Sequence, residues 1–411
     1  MPEQTDASRD KPSAAPALGP VPVAERVEVI DILRGFALCG IILVDVGDYL
    51  REPVGRADQA VQRLIDFFIE ASFYPLFSFL FGLGLVIQMT RAEDRGVRFV
   101  PFYRRRLAVL LLIGLAHELL LGGNVLHDYA VLGFALLLFR RTSFRTVVVT
   151  ASLVFLLASV NTSVYSAVER RLRTDTWTIQ GSAPSSFEQE RAERQERRLR
   201  VYAEGTYAEL MRMNAGAVVA YFPHLPRALA SHPFLGKVFA LFLLGLYAGR
   251  RGILQNPEGH LPFLRKAMWW GFGIGFGGNF LASGLQFAGY GGLTAGIFES
   301  LANPALAAFY GCGIVFLARR AEWKIRLRSL TAIGRTALTN YVFQHFMLTV
   351  IFFGFRLNNI VGPVTGLLLC LIIVAAQIAI SVLWLRHFRF GLLEWLWRSL
   401  TYGKLQPMRI K

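Results

Sequence analysis

The sequence predicts an all-α, polytopic integral membrane bundle: about ten transmembrane helices, both termini in the cytoplasm, and a long external loop with a helical segment. Three observations lead there. Hydrophobic residues make up 54% of the 411-residue chain and charged residues only 18%, too few charges to cover the apolar surface of a soluble protein of this length. Ten apolar stretches approach the roughly 20 residues that cross a bilayer. The 44 Lys and Arg, against 28 Asp and Glu, also fall unevenly between alternate loops. A net charge of +16 would by itself suit a nucleic-acid binder, but that needs a basic face on a soluble fold, and the apolar runs leave no room for one.

Residues 1–24, rich in Pro, Ala and Ser, read as a disordered cytoplasmic tail. They lack the basic segment, apolar run and cleavage site of a signal peptide. The expected spans are 29–49, 70–89, 106–121, 125–139 and 144–165 in an N-terminal membrane half (25–165), and 234–250, 267–288, 296–318, 332–353 and 361–385 in a C-terminal half (234–385). Residues 386–411 form a cytoplasmic amphipathic tail. Gly122, Gly123 and Asn124 separate the third and fourth spans, which therefore make a tight hairpin.

Counting Lys and Arg in alternate loops tests this layout. One side collects 27 of them, and the short loops on the other hold four: Arg51, Arg56, Arg63 and Arg356. Basic residues favour the cytoplasmic side, so both termini are expected inside. The 166–233 loop then falls outside. Long loops translocate regardless of charge, so its ten arginines do not conflict. Glu190/Arg194, Glu193/Arg197 and Glu196/Arg200 are i,i+4 pairs in the favourable order. They mark a helix that is either solvated or a lid over an outward-facing site. Cys39, Cys312 and Cys370 sit in apolar runs without a second cysteine nearby, as packing residues.

Ionisable and polar residues inside spans are costly and point to function. Asp31, Arg34 and Asp45 lie in the first span. Eleven steps of 100° from Arg34 to Asp45 give three turns plus about 20°, so the two share a face about 16 Å apart. Asp31 and Arg34 also suit an interfacial ion pair. The hairpin LLLIGLAHELLLGGNVLHDYAVLG brings His117, Glu118, Asn124, His127 and Asp128 to the depth of Asp45. A histidine is a natural general base near neutral pH, and a nearby carboxylate fixes its tautomer. His127 and Asp128 could instead face external water. No spacing such as HExxH supports a metal site. In GRTALTNYVFQHF, Arg335 enters from the cytoplasm. Asn340 and Gln344 share a helix face that bonds either to neighbouring helices or to substrate, with His345 beside them. The Gly-rich 271–278 stretch reads as close helix packing. Arg104, Arg105 and Arg106 serve positive-inside anchoring and would also suit phosphates.

The runs DILRGFALCGIIL, FYPLFSFLFGLGL, RRLAVLLLIGLAH…GGNVLHDYAVLG, IGRTALTNYVFQHF and WLRHFRFGLLEWLWRSLTYGKLQP closely resemble the YeiB family of bacterial inner-membrane proteins, over nearly all of the chain from residue 27. That family is distantly similar to the transmembrane acyltransferases, which include the lysosomal heparan glucosaminide acetyltransferase and sugar O-acetyltransferases. The shared element is an Arg-Gly early in the first helix with a polar residue eleven positions after the Arg, here Arg34-Gly35 and Asp45. The resemblance implies an acyl group taken from cytoplasmic acyl-CoA, acetyl-CoA among them, and delivered to an acceptor across the membrane. Relatives usually carry Asn at position 45 and Asp at position 124, the reverse of this chain. Asp45 and Asn124 are therefore expected to touch. In the sugar O-acetyltransferases a His stands at the position of Asp45, which leaves His117 as the base here.

The reading that results is a multi-pass acyltransferase of the bacterial cytoplasmic membrane. Arg34, Arg106 and Arg335 would contact the acyl-CoA phosphates. His117 would be the base, oriented by Asp45 and Asn124. His127, Asp128, Glu118, Gln344 and His345 would bind the acceptor. The expected partners are the lipid bilayer, a small-molecule, glycan or lipid acceptor, and optionally a second copy in a homodimer. No metal and no nucleic acid are expected. The rival is a transporter or permease of a small metabolite, peptide or lipid, with a gated central cavity along the same polar stripe. A sensor or scaffold acting through the external loop is third.

Overall fold

The computed structural model describes residues 27–69, 72–123, 125–178, 186–231, 233–289 and 293–410. The tail expected at 1–24 and Asn124 lie outside the described residues. Every regular element among those described is helical, with one isolated antiparallel bridge between Phe388 and Arg409 near the C-terminus. The order is α1 (Glu28–Asp45), α2 (Gly55–Phe68), α3 (Phe73–Asp94), α4 (Phe99–Leu121), α5 (Leu126–Leu136), α6 (Phe144–Thr178), α7 (Ser186–Glu204) and α8 (Tyr207–Ser231). There follow α9 (Pro233–Arg250), α10 (Leu261–Phe287), α11 (Leu293–Ala318), α12 (Ala321–Arg335), α13 (Ala337–Leu348), α14 (Pro363–His387) and α15 (Leu392–Tyr402).

Among the described residues six segments are long and apolar enough to cross a membrane: one within Gly55–Asp94, and Phe144–Asn161, Pro233–Arg250, Leu293–Ala318, Ala337–Gly354 and Pro363–His387. Four expected spans, those in α1, α4, α5 and α10, are not among these six, and composition or length accounts for three of them. α1 carries Glu28, Asp31, Arg34 and Asp45. α4 carries Arg104, Arg105, Arg106 and Glu118. α5 has only 11 residues. The outer surface is apolar in the way lipid requires. Trp269, Trp270, Phe280 and Phe287 of α10 and Leu368, Leu371 and Ile372 of α14 are exposed.

Without a hydrophobic drive between helices in lipid, close backbone approach at small residues supplies the packing. α1 crosses α12 at Gly35 and Gly334, where an added Cβ would collide with the carbonyl oxygens of Leu330 and Asp31. Gly271 and Gly275 bring α10 against α11 at Phe309 and Leu306, the packing role expected for the glycine-rich stretch. α3 also packs along α9, and α1 along α12, so helices of the two expected halves intermix.

Three expected elements differ. The 50–69 connection contains the amphipathic helix α2, and α6 runs on to Thr178, well past the expected end at 165. The 332–353 span is broken at Thr336 and ends in a π-helical turn, Thr349–Gly354. A helix start needs acceptors for its first amides. Here Glu394 of α15 supplies them, accepting Leu338 N at 2.6 Å, Thr339 N at 3.2 Å and the Thr339 hydroxyl at 2.5 Å. The break is therefore held by a residue 55 positions beyond Thr339.

Candidate functional site

A cavity of about 280 Å³ lies between α1, α3, α4, α5, α12, α13 and α15. On α1 its lining runs from Val27 to Ile41, which is about 21 Å of helix rise. One end is basic, with Arg34, Arg91, Arg106, Arg335 and Arg398 all on its wall. Two acids share this wall, Asp31 and Glu394. Asp31 is paired with Arg34 at 3.3 Å, and Glu394 is committed to the start of α13. The wall therefore keeps a surplus of positive charge. Arg335 Nε is buried with no hydrogen-bond partner, and Arg106 lies 3.5 Å over the Trp397 ring, whose Nε1 donates to the Arg106 carbonyl at 2.8 Å. Arg34, Arg106 and Arg335, three arginines from three helices expected to act together, are brought to one cavity. The other end is apolar and aromatic, lined by Phe77, Phe81, Leu110, Val125, Tyr129 and Tyr341.

Beside that end sits a buried polar cluster. Tyr74 of α3 donates to Asp45 Oδ1 at 2.5 Å. Asp45 Oδ2 lies 3.5 Å from His345 Nε2, within ion-pair range but long for a hydrogen bond. The His345 ring meets the His117 ring edge to face at 4.8 Å, and Tyr341 contacts both rings, at 4.6 Å and 5.6 Å. His117 is 3% exposed, and neither of its ring nitrogens has a hydrogen-bond partner among the described residues. Asp45 thus holds His345 and Tyr74, not His117 as expected. The reason is packing between helices: α13 brings His345 to the end of α1, which periodicity within α1 cannot reveal. The expected touch between Asp45 and Asn124 falls outside the described residues.

The rest of the expected set is dispersed. Gln344 donates to Gln377 Oε1 at 2.8 Å and Gln377 to the Asn340 carbonyl at 2.9 Å, while Asn340 donates to Ser381 at 2.9 Å. This ladder ties α13 to α14, so Gln344 packs helices and does not face the cavity. His127 Nε2 is 3.6 Å from Asp128 Oδ1, and Tyr221 of α8 donates to the same oxygen at 2.8 Å. Asp128 is therefore bound to α8, not left to face open water. Glu118 is partly buried on α4. None of Gln344, His345, His127, Asp128 and Glu118 is on the cavity wall.

α8 covers the hairpin through a stripe with a spacing of seven residues. Tyr207 donates to the Leu120 carbonyl at 2.8 Å, Asn214 to Leu119 at 3.3 Å, and Tyr221 to Asp128. Arg356 ties down the end of α7, donating to the carbonyls of Tyr202 at 3.1 Å and Val201 at 3.4 Å. Arg200 and Glu196 form the expected i,i+4 pair at 3.0 Å. Sequence reasoning missed Tyr74, Tyr341, Arg91, Arg398 and Glu394. All but Arg91 stand inside the runs that carry the family resemblance, and that was the available signal.

Comparison with known proteins agrees with this organisation. Residues 26–178 match the family described as heparan-alpha-glucosaminide N-acetyltransferase, catalytic. Residues 248–404 match the family described as protein of unknown function (DUF418). A Bacillus subtilis (strain 168) protein named uncharacterized protein YxaH is 34% identical, over 96% of this chain and 99% of its own. An uncharacterized 39.9 kDa protein in the amylase 3' region of Bacillus acidopullulyticus is 29% identical, over 96% and 99%. Escherichia coli (strain K12) uncharacterized protein YeiB is 26% identical, over 93% and 98%. With full-length relatives at this identity, and with the C-terminal and N-terminal matches on one helical membrane chain, the protein belongs to the YeiB family, whose N-terminal part is acetyltransferase-like.

Proposed function

We propose that this protein is an acyltransferase of the bacterial cytoplasmic membrane, crossing it about ten times with both termini inside. It would take an acyl group from cytoplasmic acyl-CoA and pass it to a hydroxyl or amine acceptor at the outer face. The observation that carries this reading is the cavity: five arginines at one end, aromatic residues at the other, and the His117/His345 pair behind that end, in contact with its Tyr341. The basic residues of the alternate loops support its orientation, placing the arginine end inside. The match of residues 26–178 to an acetyltransferase catalytic family supports the chemistry.

In this reading Arg34, Arg106 and Arg335, joined by Arg91 and Arg398, hold the phosphates by charge-assisted bonds. The pantetheine arm follows the wall past Leu107 and Leu110, and the thioester reaches Tyr341. His117, with both ring nitrogens unspent, takes the acceptor proton. Asp45, Tyr74 and His345 hold the polar cluster in register behind it. Transfer is direct, within a ternary complex. The cavity is basic at one end and aromatic at the other, and α8 covers the hairpin on the outer side. That arrangement favours the enzyme over a transporter.

The test is binding and turnover of radiolabelled acetyl-CoA by the purified protein in detergent. Wild type should bind and release acyl groups. His117→Ala should bind normally but lose about 10²–10⁴-fold in rate. Arg106→Ala and Arg335→Ala should bind about 10-fold or more weakly. No specific binding by wild type, or a His117→Ala variant as active as wild type, would refute the reading.

A further inference from the structure

The proposed transfer leaves one requirement unassigned. As the acceptor attacks the thioester, negative charge builds on the carbonyl oxygen, and a fixed donor there is worth a large part of the rate. Hydroxyls stand at and just behind the aromatic end of the cavity, and the hydrogen-bond pattern separates them. Tyr129 and Ser78 are bonded to each other at 2.6 Å, and Ser78 donates onward to the Tyr74 carbonyl at 2.7 Å. Tyr129 therefore donates to Ser78. Tyr74 gives its proton to Asp45. These three hydroxyls are spent.

Tyr341 differs. It lines the aromatic end and is 4% exposed. Its oxygen accepts the Val125 amide at 3.4 Å, which uses its acceptor side alone, since a phenol both accepts and donates. Among the described residues no acceptor takes its proton. Val125 stands at the N-cap of α5, and its own side chain makes no cap bond. The positive end of α5 thus points at the same place, where it favours negative charge. A buried donor with no acceptor among the described residues, on the wall of a cavity and at a helix N-terminus, is arranged for an anionic oxygen.

We infer that Tyr341 is a catalytic residue whose hydroxyl donates to the thioester carbonyl oxygen and holds the oxyanion of the tetrahedral intermediate. This rests on the acyltransferase reading. The lone pair of the acceptor forms a bond to the carbonyl carbon, and the C=O π pair moves to the oxygen held by Tyr341. The acceptor proton passes to His117. A lone pair of that oxygen then re-forms the C=O bond as the C–S bond breaks with its electron pair on sulfur, and His117 returns the proton to that thiolate, giving the ester or amide and the CoA thiol.

Tyr341→Phe keeps the ring that contacts His117 and His345 and removes only the hydroxyl. The expected result is a fall in kcat of about 10²–10³-fold, the cost of one oxyanion donor, with the Kd for acetyl-CoA within about twofold of wild type. A second readout needs no turnover. An acetyl-CoA analogue with CH₂ in place of sulfur carries an unreactive ¹³C-labelled ketone, whose stretching frequency falls when a donor polarises it. That fall is expected in wild type and absent from bound Tyr341→Phe. Fluorotyrosine at position 341, a stronger donor in nearly the same volume, should deepen it. If wild type turns over while Tyr341→Phe keeps its rate, or if the carbonyl frequency ignores either substitution, the role of Tyr341 is overturned and the acyltransferase reading stands. Loss of analogue binding in Tyr341→Phe would also overturn it, assigning the residue to binding. If wild type neither binds the analogue nor turns over, both fall.

Discussion

Glu394 is the residue through which the C-terminal helix α15 controls the site, and its removal has a calculable effect. Its buried carboxylate accepts two amides and one hydroxyl at the start of α13, the helix that carries Tyr341, Gln344 and His345. In Glu394→Ala the Thr339 hydroxyl can turn to another acceptor, but the amides of Leu338 and Thr339 cannot move. A buried donor left unsatisfied costs about 1–3 kcal/mol, so the two together weaken the first turn of α13 by about 3 kcal/mol. At 1.4 kcal/mol per decade, hydrogen exchange at these amides should accelerate by about 10²-fold. Glu394→Gln keeps an acceptor oxygen and loses the charge facing the helix N-terminus, a cost of about 1 kcal/mol, or roughly fivefold in exchange. The assay is hydrogen exchange by mass spectrometry on peptides covering 336–345 in detergent, with an α9 peptide as internal reference. Unchanged exchange in Glu394→Ala would refute the cap. A Gln variant as fast as Ala would assign the effect to charge alone.

Other outcomes follow from single contacts. Gly334→Val would drive a side chain into the Asp31 carbonyl, a backbone group that cannot step aside. The α1/α12 crossing should open at a cost of about 3 kcal/mol or more, read as loss of a monodisperse peak on size exclusion. Tyr221→Phe removes the bond from α8 to Asp128, worth about 1.5–3 kcal/mol for a charged acceptor. His127 should then react about 10-fold or more faster with diethyl pyrocarbonate. At the start of α8, Thr206 and Glu209 form a reciprocal capping box. Bonds from the Thr206 amide and then its hydroxyl hold the Glu209 carboxyl below the ordinary glutamate range. A depressed carboxyl contributes stability above its unfolded pKa and loses it as pH falls through the folded value. The start of α8 should therefore be protected near neutral pH and released in acid, measured by exchange corrected for intrinsic rate. Glu209→Ala should abolish the difference.

Much of the architecture was legible because it depends on side-chain character alone. An apolar run of sufficient length must be a helix in lipid, since no water is there to satisfy its backbone, and α9, α11 and α14 fall within a few residues of their expected positions. Arg34, Arg106 and Arg335 were legible as a set because charge in a span is costly enough to need a reason. The break at Thr336 was not. Nothing near 336 departs from helical pattern strongly enough, and the cap that stabilises the break comes from Glu394, far along the chain.

By itself the sequence determined the class, a helical membrane protein of the YeiB family with its ionisable residues inside the bundle. Hydropathy and charge act locally, so they can be read along a line. Only the tertiary structure decided which of those residues meet. Five arginines from α1, α3, α4, α12 and α15 converge on one wall. Asp45 turns to His345 and Tyr74, not to His117. Gln344 is spent between helices, and Tyr341 reaches the aromatic end of the cavity with its proton free of a protein acceptor among the described residues. Helix periodicity tells which residues share a face. Which helix that face meets is set by glycine crossings and by caps supplied from distant segments, and these exist only once the bundle has closed.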